Sequence, residues 1–243
     1  MRLSMFSEKR GEAVVKDPAL QRVVSNQDVQ RGIPAAAHFG SRALGDSIEL
    51  MGAPMHFARN VEIYGEGEQA DYLYKLVKGT VRTYKVLNDG RRQIGAFYLP
   101  GDMFGLESGA EHVFSAEAIT NVTVLVIRRS AVAALAARDH SVARQLLAMT
   151  GRELARVQNH IMLLIQTAQE RVAGFLLEMT DRAQGRDEFE LPMSRQDIAD
   201  YLGLTIETVS RTLTQLENSA AIALPSSRHV VLRNRGALRR LNS

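Results

Sequence analysis

The most constraining feature of this sequence is a change of hydrophobic pattern at about residue 129. Between Gly52 and Ile127, short apolar and β-branched runs alternate with turn residues such as the Asp89-Gly90 pair. This pattern is typical of a compact barrel or roll. After Arg129, apolar residues recur at helical spacing instead. Strands followed by helices indicate an α+β fold, and 243 residues suffice for two separate cores.

Five strands are predicted in the first region from the positions of the apolar runs. They are Arg59 to Tyr64, Tyr72 to Lys78, Thr80 to Leu87, Gln93 to Tyr98 and Val122 to Ile127. The Asp89-Gly90 pair lies between two of them and is a good hairpin signal. Residues 1–50 show weak periodicity, which predicts an irregular arm with a short helix near Asp46 to Met51.

Three helices are predicted directly after the strands. A short Ala-rich helix covers Ser130 to Arg138, and a much longer one runs from about Ser141 to Thr167. The third is amphipathic. Its apolar residues are Val172, Phe175, Leu176 and Met179. The row from Asp181 to Glu188 is polar and contains a glycine, so we predict a turn or short loop there.

The longest helix carries two rows of residues that repeat every seven positions. The rows are Leu147, Leu154 and Ile161 and, three residues later, Thr150, Val157 and Leu164. A seam of this period is typical of a two-stranded coiled coil, so we predict a homodimer. The residues expected at its interface are Leu147, Leu154, Val157, Ile161 and Leu164. The alternative is that the stripe packs on the strands of its own chain.

The segment from Ser194 to Glu217 has the pattern of a helix-turn-helix. Ser194 and Asp197 form a predicted capping box at the start of a first helix. Gly203 permits the tight corner after it, and Thr205 caps a second helix. The inward-facing apolar residues of this second helix are Val209, Leu213 and Leu216.

The opposite face of the second helix presents four side chains near its N-terminal end. They are Ile206, Glu207, Ser210 and Arg211. A recognition helix presents such positions to base edges. An arginine can donate to guanine, a glutamate can accept from the cytosine amino group, and an isoleucine can touch a thymine methyl. The alternative for Glu207 and Arg211, four residues apart, is an ordinary surface pair.

A β-hairpin wing is predicted after the second helix. Ala221 to Pro225 and Val230 to Leu232 supply its strands, and Arg228 at its tip is available for a phosphate. Further predicted contacts to the DNA backbone are Arg195, Thr205 and Thr208. From residue 211 to the end of the chain arginines far outnumber acids, which concentrates positive charge there. The net charge of +3 identifies no partner by itself.

The block from Leu204 to Arg211, Leu-Thr-Ile-Glu-Thr-Val-Ser-Arg, resembles the CRP/FNR superfamily of bacterial regulators and is similar to its FNR and FixK branch. The resemblance extends from about Phe57 onward. It implies a cyclic-nucleotide-binding-like β-roll (a jelly roll), a long dimerisation helix and a C-terminal winged helix-turn-helix. It also implies a homodimer on a TTGAT-N4-ATCAA palindrome, with Glu207, Ser210 and Arg211 reading bases, and activation through RNA polymerase.

The sequence patterns and this resemblance together divide the chain into an N-terminal arm (1–50), a β-roll (51–138), a dimerisation helix (139–167) and a winged helix-turn-helix (168–243). In this family a roll hairpin can touch RNA polymerase, which makes Asp89, Arg91 and Arg92 candidate contacts. A solvated turn is the alternative. The FixK-type resemblance further implies a role in low-oxygen or nitrogen-fixation gene expression.

The roll lacks the cation that holds a cyclic phosphate in the nucleotide-binding relatives. No Arg or Lys lies between Arg92 and Arg128, and Glu111 and Glu117 add negative charge. A buried phosphate would be badly compensated there, so we predict that cAMP is not bound. His112 is interpreted as an ordinary surface or core histidine. The alternative is a regulator whose roll binds an unidentified small molecule.

Missing residue types exclude several other functions. The sequence has no cysteine, which excludes disulfides, thiolate zinc sites and the iron-sulfur cluster of the family's oxygen-sensing branch. We therefore predict neither a cofactor nor a metal. No phosphate loop, His-Glu-x-x-His or nucleophile-base pair occurs, so no catalytic residue and no enzyme are predicted. No signal peptide or bilayer-length apolar run is found, which predicts a cytoplasmic protein without a membrane partner.

Overall fold

The computed structural model describes residues 51–183 and 185–242. Eight strands come first along the described chain. They are β1 Ala53–Phe57, β2 Glu62–Tyr64, β3 Tyr72–Lys78, β4 Val81–Val86, β5 Arg92–Tyr98, β6 Met103–Phe104, β7 Ser115–Ala118 and β8 Val122–Arg128. The arm expected at 1–50, with its short helix near Asp46 to Met51, lies outside the described residues except for Met51 itself.

The eight strands form two antiparallel sheets with a shared core. One sheet has the order β1-β8-β3-β6, and the other has the order β2-β7-β4-β5. Leu76 and Val124 of the first sheet and Val81 and Ala116 of the second are fully buried in one apolar cluster. Because strands distant in sequence are neighbours in both sheets, the fold is the β-roll that the sequence predicts.

Three of these strands, β1, β6 and β7, are not predicted by the sequence. Strand β7 reads Ser-Ala-Glu-Ala, and alanine and glutamate are depleted in strands. It is extended because it pairs with β2 on one side and β4 on the other. The strand expected over Arg59 to Tyr64 is shorter than predicted. It begins at Glu62, because Asn60 lies in a turn with a left-handed φ of 64°.

Three helices follow the roll. They are α1 Arg129–Ala136, α2 His140–Leu164 and α3 Ala168–Arg182. The prediction that the long helix reaches Thr167 is wrong, since α2 ends at Leu164. Thr167 instead caps α3 in a capping box, in which its backbone N–H donates to Glu170 at 2.7 Å. This box fixes the N-cap of the new helix three residues after the end of α2.

The C-terminal part has the winged helix-turn-helix architecture. Its helices are α4 Arg195–Leu202, α5 Ile206–Asn218 and α6 Arg235–Leu241, and its strands are β9 Glu188–Glu190, β10 Ile222–Ala223 and β11 His229–Leu232. The strands pair in the order β10-β11-β9. Both the Ser194–Asp197 capping box and the corner at Gly203, with a φ of 63°, are as predicted. Strand β9 and helix α6 are additions to the predicted pattern.

The apolar core of the helix-turn-helix extends into the roll. Ile94, Phe97 and Ile119 of the roll belong to the same buried cluster as the inner faces of α3, α4 and α5. The ring of Phe97 lies 5.1 Å from that of Tyr201 in α4, measured between centroids. The expectation of two separate cores therefore needs correction, because part of the roll is buried against the winged helix-turn-helix.

Candidate nucleic-acid interface

Helix α5 presents its outer face to solvent. Thr205 caps it by accepting from the Thr208 N–H at 3.2 Å, and Val209, Leu213 and Leu216 bury its inner face. The four side chains predicted to read bases are all exposed. They are Ile206, Glu207, Ser210 and Arg211. The structure thus brings the four together on one free surface at the N-terminal end of the helix.

The charges on this surface are available to a ligand. Hydrogen bonds from its own backbone N–H and from Thr205, with a further contribution from Arg211, lower the pKa of Glu207, which favours the acceptor carboxylate. Arg211 forms no contact ion pair with any residue of 51–183 and 185–242, and its attraction to Glu207 acts without such a contact. Its guanidinium can donate to an external acceptor.

Three of the predicted backbone-contacting residues lie at the N-terminal ends of α4 and α5. Arg195, the first residue of α4, is half-buried and its Nη1 has no hydrogen-bond partner. Burial also lowers the pKa of its guanidinium. A partly desolvated cation without an acceptor is energetically costly, and because Nη1 itself is buried, a phosphate would be bound through the rest of the guanidinium. The hydroxyls of Thr205 and Thr208 lie 3.0 Å apart.

Arg228, the fourth predicted phosphate contact, is placed differently from the free wing tip expected from sequence. It precedes β11, is half-buried, and donates through Nη1 to the Pro192 carbonyl at 3.4 Å. This long contact leaves donor capacity on the guanidinium, since arginine has five N–H groups.

Helix α2 exposes an apolar stripe. The exposed fractions of Leu147, Leu154, Val157 and Ile161 are 74%, 57%, 46% and 56%. These four therefore do not pack on the strands of their own chain, which was the alternative reading. Leu164 is half-buried. Met162 and Ile165 are also exposed. The sequence pattern does not predict them, because a strict seven-residue repeat omits positions beside the seam.

The β4–β5 hairpin holds the residues considered for RNA polymerase. Arg91 is exposed and donates from Nε to Asp89 at 2.8 Å. Arg92 points elsewhere. It donates to Asp197 and Asp200 of α4 at 2.7 Å each. The structure therefore leaves Asp89 and Arg91 at the tip and engages Arg92 within the chain.

The interior of the roll does not suit a cyclic nucleotide. The rings of Tyr64 and His112 stack there with centroids 3.6 Å apart, next to Phe104, so His112 is a core histidine. Arg129 reaches this stretch, but its guanidinium donates to the carbonyls of Gly105 and Gly109 at 3.0 Å. This guanidinium is thus already bound to backbone carbonyls, and a phosphate would have to compete with them for it.

Two other kinds of feature are absent from the described part of the chain. Across 51–183 and 185–242, no three His, Cys, Asp or Glu side chains are grouped so that they could hold a metal ion. Within the same ranges, no helix has both the length and the apolar character needed to span a bilayer.

Comparison with known families adds to this geometry. Residues 54–139 match the family described as "Cyclic nucleotide-binding domain". Residues 170–241 match the family described as "Crp-like helix-turn-helix domain". The two matches fall on the roll and on the helix-turn-helix that the structure shows.

The chain is also similar to individual regulators over most of its length. It is 52% identical over 202 residues to the nitrogen fixation regulation protein FixK of Azorhizobium caulinodans, covering 81% of this chain and 82% of that protein. The chain belongs to the FixK-type branch of the CRP/FNR family of transcription regulators. It is therefore a DNA-binding regulator, and the relatives of this FixK-type chain are named as regulators, not enzymes.

Two further relatives agree with this assignment. The FixK protein of Rhizobium meliloti is 46% identical, covering 74% of this chain and 82% of its own. The solved structure of FixK2 from Bradyrhizobium japonicum is 51% identical with a TM-score of 0.76, covering 79% of this chain and 98% of that one. The FixK-type fold thus includes the roll, the long helix and the winged helix-turn-helix.

Proposed function

We propose that this FixK-type regulator binds a TTGAT-N4-ATCAA palindrome as a homodimer and activates transcription by contacting RNA polymerase. The observation that carries the proposal is the free outer face of α5, where Glu207, Ser210 and Arg211 are exposed together. Relatives are named for nitrogen fixation regulation, which supports a role in low-oxygen or nitrogen-fixation gene expression. Such a regulator acts at the chromosome, in the cytoplasm.

Base reading follows from the chemistry of the exposed face. Arg211 donates two hydrogen bonds to O6 and N7 of a guanine, and Glu207 accepts from a cytosine amino group. Ile206 contacts a thymine methyl, and Ser210 bonds a base or a phosphate. These assignments match one half-site of the proposed palindrome, which contains G·C and A·T pairs side by side.

Backbone contacts fix the register of α5 in the groove. Arg195 carries an unpartnered guanidinium nitrogen, and Thr205 and Thr208 offer hydroxyls at the start of α5. Arg228 extends the contact from the side of the wing. Such contacts supply affinity and orientation but no sequence information.

Dimerisation uses the exposed stripe of α2. Side chains such as Leu147, Leu154 and Ile161 are each more than half exposed, and a contiguous apolar stripe of this kind marks a protein interface. A parallel pair of α2 helices buries the stripe and relates the two copies of α5 by a twofold axis, which a palindrome matches. We keep the division into arm, roll, dimerisation helix and winged helix-turn-helix given above.

Activation requires a surface that is free when DNA is bound. Asp89 and Arg91 lie at the exposed tip of the β4–β5 hairpin, away from the Arg92 contacts to α4. We assign this tip to RNA polymerase.

Neither cAMP nor an iron-sulfur cluster is part of the proposed mechanism. The roll interior is filled with aromatic rings, and the sequence has no cysteine. The test is an electrophoretic mobility shift with purified, effector-free protein on the palindromic duplex. Specific binding at low protein concentration is expected. Binding that appears only after a small molecule is added would instead support an effector-dependent regulator.

A further inference from the structure

One buried carboxylate, that of Asp197, serves two structures at once. It is 3% exposed. Its Oδ2 accepts from the N–H and the hydroxyl of Ser194 at 3.0 and 2.8 Å, which caps α4. Its Oδ1 accepts from Arg82 at 2.6 Å and from Arg92 at 2.7 Å. Both arginines belong to the roll, so the cap of α4 is tied directly to strands β4 and β5.

Each arginine is fixed by a second carboxylate. Arg82 also donates to Glu117 of β7 at 2.7 Å, and Arg92 also donates to Asp200 of α4 at 2.7 Å. The side chains of Arg82 and Asp197 are 11% and 5% exposed. Charge-assisted hydrogen bonds with so little solvent access have a defined geometry. Removing one partner leaves buried charge uncompensated.

Other contacts join the same two parts around this cluster. Gln93 of β5 donates to the Tyr201 carbonyl at 3.3 Å, and the rings of Phe97 and Tyr201 pack beside it. All of these contacts lie on the side of α4 that meets the roll. The outer face of α5, beyond the corner at Gly203, remains exposed. The roll therefore holds the helix-turn-helix without covering the reading surface.

From this arrangement we infer that Asp197, with Arg82 and Arg92, is the positioning joint through which the roll holds α5 in its DNA-binding orientation without an effector. The inference rests on the proposed function, because it explains how affinity arises without a ligand. Domains joined by small contacts move relative to each other. The ion pairs restrict that motion, and because α4 and α5 share a tight corner, orienting α4 also orients α5.

The test compares charge-neutralising variants in the full chain. Arg92→Gln and Arg82→Gln each remove one roll arginine from Asp197. Lys85→Gln is the matched control, since Lys85 lies on β4 and pairs with Glu66 of the roll at 2.6 Å, with no ion pair to α4 among the described residues. If loss of one ion pair loosens the contact between the roll and α4, so that α5 has its DNA-binding orientation in only about a tenth of the molecules, the apparent affinity for the palindrome falls about tenfold. Lys85→Gln is expected to bind like the parent.

A second readout separates positioning from general weakening. Because the chain has no cysteine, Gln215→Cys on α5 provides a single spin-label site in each copy. Electron-electron distance measurements on the dimer are expected to give one narrow distribution in the parent and in Lys85→Gln. Arg92→Gln is expected to broaden it, and bound palindromic DNA to narrow it again. Thermal unfolding checks that each variant is folded.

The outcomes are distinct. If the effector-free parent fails to bind the palindrome, the proposed function itself fails. If the parent binds and both arginine variants match Lys85→Gln in affinity and distance distribution, the positioning role is overturned while DNA reading stands. Tighter binding of the palindrome by either arginine variant also overturns the positioning role. The ion pairs would then hold α5 in an orientation that disfavours DNA binding. If Arg82→Gln does not fold, the more exposed Arg92 carries the test alone.

Discussion

The rings of Tyr64 and His112 stack at 3.6 Å in the middle of the β-roll. Both residues are buried, Tyr64 at 4% and His112 at 3% exposure, and burial raises the pKa of Tyr64 far above its usual range. The phenol therefore stays neutral. The guanidinium of Arg129 is bound to the carbonyls of Gly105 and Gly109. This contact and the ring stack make the roll a packed unit against which the helix-turn-helix lies.

The filled roll predicts indifference to cAMP. A ligand at one hundred times its Kd stabilises the native state by about 2.7 kcal/mol, which shifts Tm by several degrees. Adding cAMP is expected to leave Tm unchanged in a thermal unfolding scan. The palindromic duplex serves as the positive control, because bound DNA must raise Tm. A rise of Tm with cAMP alone would show that the roll opens for a nucleotide.

Arg211→Ala is expected to weaken binding to the palindrome by about 1–3 kcal/mol and to relax the choice at one base pair. The reason is the loss of two hydrogen bonds to a single guanine. Fluorescence anisotropy on duplexes substituted at each position measures both effects. The control is Gln215→Ala, one turn further along α5. If Arg211→Ala weakens all sequences equally, the residue contacts the backbone and not a base.

Leu154→Ala is expected to convert the dimer to monomers at low concentration. Truncating a leucine that the dimer interface buries weakens the free energy of association by roughly 2 kcal/mol or more. In a twofold-symmetric dimer the substitution is present in both copies, so this loss occurs twice. The dimer dissociation constant should therefore rise on the order of a thousandfold, measured by sedimentation. Leu154→Met, which keeps the apolar volume, should stay dimeric. A dimer unchanged by Leu154→Ala would place the interface elsewhere.

Arg91→Ala is expected to reduce transcription from a palindromic promoter while leaving DNA affinity unchanged. Arg91 is exposed at the hairpin tip, where its ion pair is with Asp89, so its loss disturbs no contact to α4. Transcription with purified RNA polymerase, run beside an anisotropy titration, separates the two activities. Full transcription by this variant would remove the hairpin from the polymerase interface.

Much of the fold could be predicted because its signals are local. The Ser194–Asp197 box, the corner at Gly203 and the cap at Thr205 lie within a few residues of what they cap, so sequence spacing shows them. The Thr167–Glu170 box is equally local, yet the apolar repeat running through Leu164 concealed it. A search for caps inside the long helix would have found it.

The joint between the roll and the helix-turn-helix could not be predicted in this way. Arg92 and Asp197 are 105 residues apart. The sequence pattern marks Asp197 only as part of a capping box, and nothing in it indicates that Arg92 is its partner. Because the sequence does not show its pairing with Asp197, Arg92 is predicted to be an exposed hairpin residue. Strand β7 shows the same limit, because its extended form depends on pairing with β2 and β4 and not on its own residues.

The central claim is that two copies of α5 enter successive major grooves on one face of the duplex. Its most direct test is a binding titration of effector-free protein on palindromes whose half-sites are moved apart. Inserting about five base pairs, half a turn, is expected to abolish specific binding, and inserting about ten should restore part of it. Equal affinity for all three spacings would contradict the account, since a rigid dimer cannot be indifferent to the face on which its half-sites lie.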